Sequence, residues 1–271
     1  MLDHRFIPRW GWFVGLCRWV ERKINELPHH LITSSLRTAQ LVLEKFDLEE
    51  SRVTAIGDGV DLDVFYPRMP DPDLRAKLGI APSDKVVVFL GVLTPYQGID
   101  LLLEMIPNIV RAQSRVKFLV LGFPEERYRA RAKSLGIDHC TIFTGKVSHA
   151  DAPEYLALGT IAISPKMSTT EANLKLFTYM AMGLPTVVFD TPVNREILGD
   201  LGIYATYGDP VSFAEAIVEL LRDERKARDL GRLCYHKAVE WHSWKVVGDR
   251  LIELYEQVAG SSMSMRGGMP S

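Results

Sequence analysis

Residues Ile161–Pro192 read IAISPKMSTTEANLKLFTYMAMGLPTVVFDTP. The stretch opens on a short apolar run, passes through a polar loop, takes helical spacing from about Ala172 to Met182, and closes on a second apolar run, PTVVFD. Two continuous apolar runs joined by a helical crossover are expected to be parallel strands of a sheet buried on both faces. The polar side chains of the loop, Lys166, Glu171, Asn173 and Lys175, then fall at the carboxyl end of the first strand. Open α/β sheets hold their ligands there. Cations beside the free N–H groups of a helix start suit an anion such as a diphosphate, and a neighbouring carboxylate suits sugar hydroxyls. The pattern fits a nucleotide-sugar site.

The same alternation extends outward. KVVVFLG from Lys85, VKFLVLG, CTIFTG, TIAISP, PTVVFD and GIYATY are short apolar runs, separated by segments of helical spacing such as GIDLLLEMIPNIVRA and EERYRARAKSLG. This is the pattern of an α/β, Rossmann-like doubly wound parallel sheet with right-handed crossovers. Three helical segments follow, PVSFAEAIVELLRD, ERKARDLGRLCYHKAVEW and SWKVVGDRLIELYEQVA. Residues 1–66 hold two helices and two short strands (HHLITSS and RVTAIG), too few to close a core. The expected division is therefore an incomplete first domain over 1–66, a proline-rich linker over 67–84, a main domain over 85–242, a final helix over 243–259 and a disordered tail over 260–271.

Composition narrows the classes. Of 271 residues, 47% are hydrophobic and 24% charged, and the formal net charge is −2, which gives no reason to expect nucleic acid. Cys17, Cys140 and Cys234 are widely separated, with no zinc-site spacing and no disulfide framework, and a reducing cytoplasm is the expected compartment. No apolar run reaches the ~20 residues of a membrane-spanning helix. RFIPRWGWFVGLCRWVERK, near the amino end, sets Trp10, Trp12, Phe13 and Trp19 against Arg5, Arg9, Arg18, Arg22 and Lys23. It reads either as a helix packed on protein or as one lying on a membrane surface.

Four segments converge at the carboxyl ends of the strands. Gly91–Gly98, GVLTPYQG, places Gly91, Gln97 and Gly98 between a strand and a helix start. It matches neither a GxGxxG fingerprint nor a Walker loop, and alone it reads equally as an ordinary turn. Leu121–Tyr128 follows the second strand of the main domain. Thr144–Pro153 brings Gly145, Lys146 and His149 to the rim, where His149 reads more readily as a solvated or structural residue. The fourth is the opening loop, with Asp190, Asn194 and Arg195 beyond it; Asn194 is expected to act as a helix N-cap. No GxSxG or HExxH motif is present and no DxD-type pair is placed to hold a metal–diphosphate complex, so the chemistry expected is free of covalent intermediates, cofactors and metals.

From about Leu31 to Ala259 the chain resembles the carboxyl-terminal, donor-binding half of glycosyltransferases of the GT-B fold, family 4 (glycosyl transferases group 1). KVVVFLGVLTPYQGIDLLLE is similar to the family's first strand, glycine turn and helix, VTAIGDGVDLDVFYP to its "GVD…F.P" bridge, and EANLKLFTYMAMGLPTVVFD to its acidic segment and "EAMACGxPVV". The resemblance implies a retaining, metal-independent transfer of a hexose from a nucleotide diphosphate sugar to a glycan or lipid-linked acceptor, as in cell-surface polysaccharide or glycolipid synthesis. It implies a cytoplasmic protein, at most peripheral at the inner membrane face. The residues carried over are Glu171 and Lys175 for catalysis, and Gly91, Gln97, Gly98, Lys166, Asn173, Thr178, Gly145 and Lys146 for the donor. Three positions depart from the family. Val92 and Gln97 stand where an arginine and a lysine are usual, Thr178 stands where a ribose-binding glutamate is usual, and Glu171 is one residue out of register. Lys166 and Lys175 would have to supply the lost positive charge. The resemblance also implies an acceptor domain for which this sequence has no counterpart, and hence exposed apolar surface on residues 1–66. A partner chain could supply that domain. The alternatives are a truncated fragment, a non-catalytic subunit binding a nucleotide sugar or a partner, and a sugar-nucleotide epimerase of similar fold.

Overall fold

The computed structural model describes residues 11–266. In chain order the elements are α1 (Gly11–Glu26), β1 (Leu31–Thr33), α2 (Leu36–Phe46), β2 (Val53–Ala55), α3 (Pro72–Lys77), β3 (Lys85–Leu90), α4 (Ile99–Ala112), β4 (Val116–Leu121), α5 (Glu126–Ser134), β5 (Thr141–Gly145), α6 (Ala152–Leu156), β6 (Ile161–Ser164), α7 (Lys175–Ala181), β7 (Thr186–Phe189), α8 (Pro192–Leu198), β8 (Ile203–Ala205), α9 (Pro210–Arg222), α10 (Glu224–Trp241) and α11 (Trp244–Arg266). The described residues fall into two compact units, 58–244, and 11–57 together with 245–266.

The 58–244 unit contains a six-stranded sheet in the order β5-β4-β3-β6-β7-β8. Every neighbouring pair is parallel. Side chains alternate along a strand, so each strand feeds two cores. Val87 and Phe89 of β3 pack on one face with Leu102, Ile106 and Ile109 of α4 and Phe213 and Ile217 of α9. Val86 and Val88 pack on the other with Leu176 and Met180 of α7, Leu198 of α8 and Cys234 of α10. The doubly wound α/β sheet expected from the apolar runs is the observed fold.

The helix starts follow local chemistry. Thr191 caps α8 and Asp209 caps α9, each side chain accepting from the second or third amide beyond, with a proline at the first helical position. Asn194 is thus the residue being capped, not the cap expected. Residues 67–84 are not a bare linker. They carry α3, capped by Asp71, and bury Ile80 in the core with Val60 and Phe65.

In the other unit, β1 and β2 pair in parallel and α2 packs beside them. Two strands offer little apolar surface to cover. Leu16, Trp19, Val20, Ile24 and Leu27 on and after α1 are exposed, Leu27 at 80%. α11 continues to Arg266, where a disordered tail from 260 had been expected; 267–271 lie outside the described residues, as do Arg5, Arg9 and Trp10.

Candidate functional site

The sheet order reverses direction between β3 and β6. From β3 the chain builds outward through β4 and β5, then returns to the other side of β3 with β6. A crevice at the carboxyl ends of β3 and β6 follows from that reversal. One wall is the Gly91–Gly98 loop and the other is the loop after β6. They are locked together. Met167 N–H donates to the Tyr96 carbonyl at 2.8 Å. Gly98 sits at φ +78°, and a Cβ there would come within 2.0 Å of the Pro165 carbonyl oxygen. Only glycine tolerates both that conformation and that approach.

Lys175 projects into this crevice. Its Nζ donates to Gln97 Oε1 at 2.6 Å and lies 4.3 Å from the centre of the Phe89 ring. A Cβ on Gly91 would sit 3.1 Å from the same nitrogen. Among the described residues no carboxylate pairs with it. Burial away from water, with Lys166 adding repulsion, lowers its pKa to about 7. An amine from across the crevice thus stands beside position 97, and Gln97 holds it in place. Thr178 lies one turn further along α7 and is half-buried.

The amides of α7 contribute less than expected. The helix starts at Lys175, three residues later than its spacing suggested, and has only seven residues. Leu176 and Phe177 N–H groups donate to the Asn173 and Leu174 carbonyls at 2.9 and 3.2 Å. The turn uses these donors itself, so positive charge at this point comes from the lysine side chain.

Lys166 is buried at 6% exposure and committed inward. Its Nζ donates to the Ala172 carbonyl at 2.8 Å and pairs with Glu171 Oε2 at 3.2 Å. The pair fixes Glu171 on the loop while leaving its carboxylate about half exposed. Asn173 is buried as well, in a polar chain. Its Nδ2 donates to Ser164 Oγ (3.1 Å) and to Asn194 Oδ1 (3.0 Å), and Asn194 Nδ2 donates to the Phe189 carbonyl (2.9 Å). Asn173 thus braces the loop from beneath and does not face the crevice. Asp190 and Arg195 hold each other through two hydrogen bonds, 2.7 and 2.8 Å, with the guanidinium 3.7 Å from the Tyr204 ring centre.

The remaining expected residues form a second group at the end of β5. Gly145 sits at φ +70° against the Glu125 carboxylate, and Lys146 Nζ is 5.7 Å from the Phe123 ring centre. His149 stacks edge-on against Phe65 at 4.9 Å. β5 lies two strands from β3, so this group stands ~10 Å from Lys175. Gly122, between them, approaches Gly91 so closely that a Cβ would meet the Gly91 carbonyl oxygen at 2.0 Å. The structure also adds residues that sequence reading passed over: Phe89, Phe123, Ser164 and Tyr179. The Tyr179 hydroxyl accepts from Leu90 N–H (2.7 Å) and donates to the Ile163 carbonyl (3.3 Å), tying α7 to both central strands. A polar residue ending the apolar run IAIS was the available signal for Ser164. A cavity of about 770 Å³ lined by Asn108, Arg111, Glu215 and Arg222 lies between α4 and α9, away from this crevice.

Fold and crevice together define a Rossmann-like domain of the GT-B type. The sucrose-phosphate synthase of Thermosynechococcus elongatus superposes with a TM-score of 0.77 over 90% of this chain and 62% of that one, at 20% identity. Anabaena HepE, solved with UDP and glucose, superposes with a TM-score of 0.74 over 89% of this chain and 66% of that one, at 17% identity. The chain belongs to the glycosyl transferases group 1 family, which matches residues 84–223. It is 29% identical over 220 residues to the phosphatidyl-myo-inositol mannosyltransferase of Mycobacterium leprae, covering 80% of this chain and 56% of the relative. It is 25% identical over 245 residues to spore coat protein SA of Bacillus subtilis, covering 84% of this chain and 64% of the relative. The chain thus spans between about half and two thirds of the length of these curated relatives. Among the described residues no helix is long and apolar enough to cross a membrane.

Proposed function

We propose that this chain binds a nucleotide diphosphate sugar in the β3–β6 crevice and provides the donor half of a retaining, metal-independent hexosyltransferase. The observation that carries the reading is Lys175: a partly buried amine without a carboxylate partner, between Gly91 and Gln97, at the reversal point of the sheet. Such a group favours an anion of the right size beside it. In this reading the diphosphate lies against Lys175 and the backbone of Gly91. Glu171, held by Lys166, takes hydroxyls of the sugar. The nucleoside extends toward Phe123, Gly145 and Lys146, with Thr178 near the ribose.

Transfer with retention then needs little acid–base machinery from this half. As the bond from the anomeric carbon to the diphosphate breaks, negative charge grows on the leaving oxygen, and Lys175 stabilises it. The diphosphate takes the acceptor hydroxyl's proton as the new bond forms on the same face. The names of the mannosyltransferase relative and of the HepE complex support a hexose and a nucleoside diphosphate. A glycan or lipid-linked acceptor would be bound by a further domain or chain. A lipid-linked acceptor would bring the protein to the inner membrane face, where exposed Trp19 beside Arg18, Arg22 and Lys23 suits the interface.

The test is calorimetric titration of the 271-residue chain with UDP-glucose and with GDP-mannose. One of them binds, and Lys175→Ala weakens it by about tenfold or more. Unchanged affinity in Lys175→Ala would overturn the assignment.

A further inference from the structure

We infer that donor binding at this site is coupled to the uptake of one proton from solvent, taken by Lys175 Nζ as the diphosphate arrives; the inference rests on the donor reading above. The geometry is that of an ammonium group with nothing to balance its charge. Its polar contact is a neutral amide oxygen, Gln97 Oε1, and beneath it is the face of Phe89. The charged groups facing it are few. From the loop after β6 comes Lys166, a second cation, whose own charge is already paired with Glu171. From β3 and the Gly91–Gly98 loop come Phe89, Gly91 and Gln97, none of which titrates. None of these neighbours carries a negative charge, and burial together with repulsion from Lys166 outweighs what the Gln97 carbonyl oxygen and the Phe89 face offer an ammonium group. Lys175 accordingly titrates near neutrality, at about 7.

A diphosphate reverses this balance. Two negative charges within hydrogen-bond reach of Nζ favour the ammonium form and raise its affinity for the proton well above neutrality. Empty site, proton and sugar nucleotide therefore associate together, and the proton leaves when the diphosphate does. Because the coupling is thermodynamic, raising the pH must weaken donor binding, by up to about tenfold per pH unit above neutrality.

A sugar nucleotide is the right probe, because its doubly esterified diphosphate has no proton to exchange between about pH 6 and 9, unlike a terminal phosphate with its second pKa near 6. UDP-glucose and GDP-mannose are titrated into the intact chain in two buffers of different ionisation enthalpy; the difference in observed heat gives the protons taken up. The expected result is about half a proton per site at pH 7, about one at pH 8.5 and close to none at pH 5.5. Lys175→Arg, whose guanidinium stays charged throughout, binds the same sugar nucleotide without uptake and with a flat pH profile. Binding of the wild-type chain with no buffer dependence at pH 7 and 8.5 overturns the coupling and leaves the donor reading standing. Uptake that persists in Lys175→Arg also overturns it, because another group is then the proton acceptor. Failure of both sugar nucleotides to bind at millimolar concentration overturns the donor reading itself, and the coupling with it.

Discussion

Lys175 and Lys146 both lie over a phenylalanine ring at the carboxyl end of the same sheet, and they differ in nearly everything that follows. Lys175 Nζ is 4.3 Å from the Phe89 ring centre, held by Gln97 and partly buried at the middle of the sheet. Lys146 Nζ is 5.7 Å from the Phe123 ring centre at the edge, on an exposed side chain above an exposed ring. A cation at the surface is already stabilised by solvent, so an anion gains little by approaching it. A buried one without a counter-charge gains much. In the proposed function, this contrast puts the diphosphate at the centre and weaker contacts to the nucleoside at the edge.

The backbone repeats the contrast, and a pair of glycine substitutions gives the largest expected effect. In Gly98→Ala the new Cβ meets the Pro165 carbonyl, a backbone atom that cannot move without shifting the loop after β6. In Gly145→Ala the obstacle is Glu125 Oε1 at 2.8 Å, the end of a flexible side chain. Both also place alanine at positive φ, at ~1 kcal/mol. Gly98→Ala should cost about 3 kcal/mol or more by urea denaturation and Gly145→Ala about 1–2 kcal/mol. Equal losses would show that the centre is no more rigid than the edge.

Donor affinity separates the two lysines next. Lys175→Ala should lose about tenfold to a hundredfold in sugar-nucleotide affinity, and Lys146→Ala about threefold or less. Comparable losses would move the diphosphate toward β5.

Stability against pH sharpens the comparison without any ligand. The folded-state pKa of Lys175 lies near 7, below the ordinary lysine value of about 10.4 in the unfolded chain. Between those values the unfolded chain binds more protons, so stability rises with pH across that window, by up to about 1.4 kcal/mol per unit, and is flat with respect to this group below 7. The difference in unfolding free energy between the wild type and Lys175→Met should show this rise between pH 7 and 10. Lys146→Ala should leave the curve unchanged.

Smallest is the brace beneath the centre. Tyr179→Phe removes a hydroxyl that serves Leu90 N–H and the Ile163 carbonyl, and leaves that amide buried without its acceptor. The expected loss is about 1–2 kcal/mol in chemical denaturation with donor affinity changed by less than threefold. A larger loss of binding than of stability would give Tyr179 a direct part in the site.

Much of this frame was legible in the residues. The apolar runs from KVVVFLG to GIYATY are the strands β3 to β8, because a strand buried on both faces leaves a continuous signature. The loop holding Lys166, Glu171, Asn173 and Lys175 was also legible as polar chemistry between two buried strands. What could not be read was direction. Lys166 and Asn173 point inward, to Ala172 and to Ser164 and Asn194, although as residue types they look as available as Lys175. Nor could the sequence say that Lys175 reaches position 97 from the opposite wall, since those residues are 78 apart and meet through the sheet order. The start of α7 was misplaced because Ala172 and Leu174 suit a helix, while the buried Asn173 side chain is satisfied instead by Ser164 and Asn194.

The most direct test of the central claim is a crystal structure of the chain soaked with UDP-glucose or GDP-mannose. The account predicts a phosphate oxygen within about 3 Å of Lys175 Nζ, between Gly91 and Gln97, with the sugar toward Glu171. A bound sugar nucleotide whose phosphates lie elsewhere, with the Lys175–Gln97 hydrogen bond intact and no anion beside it, would contradict it.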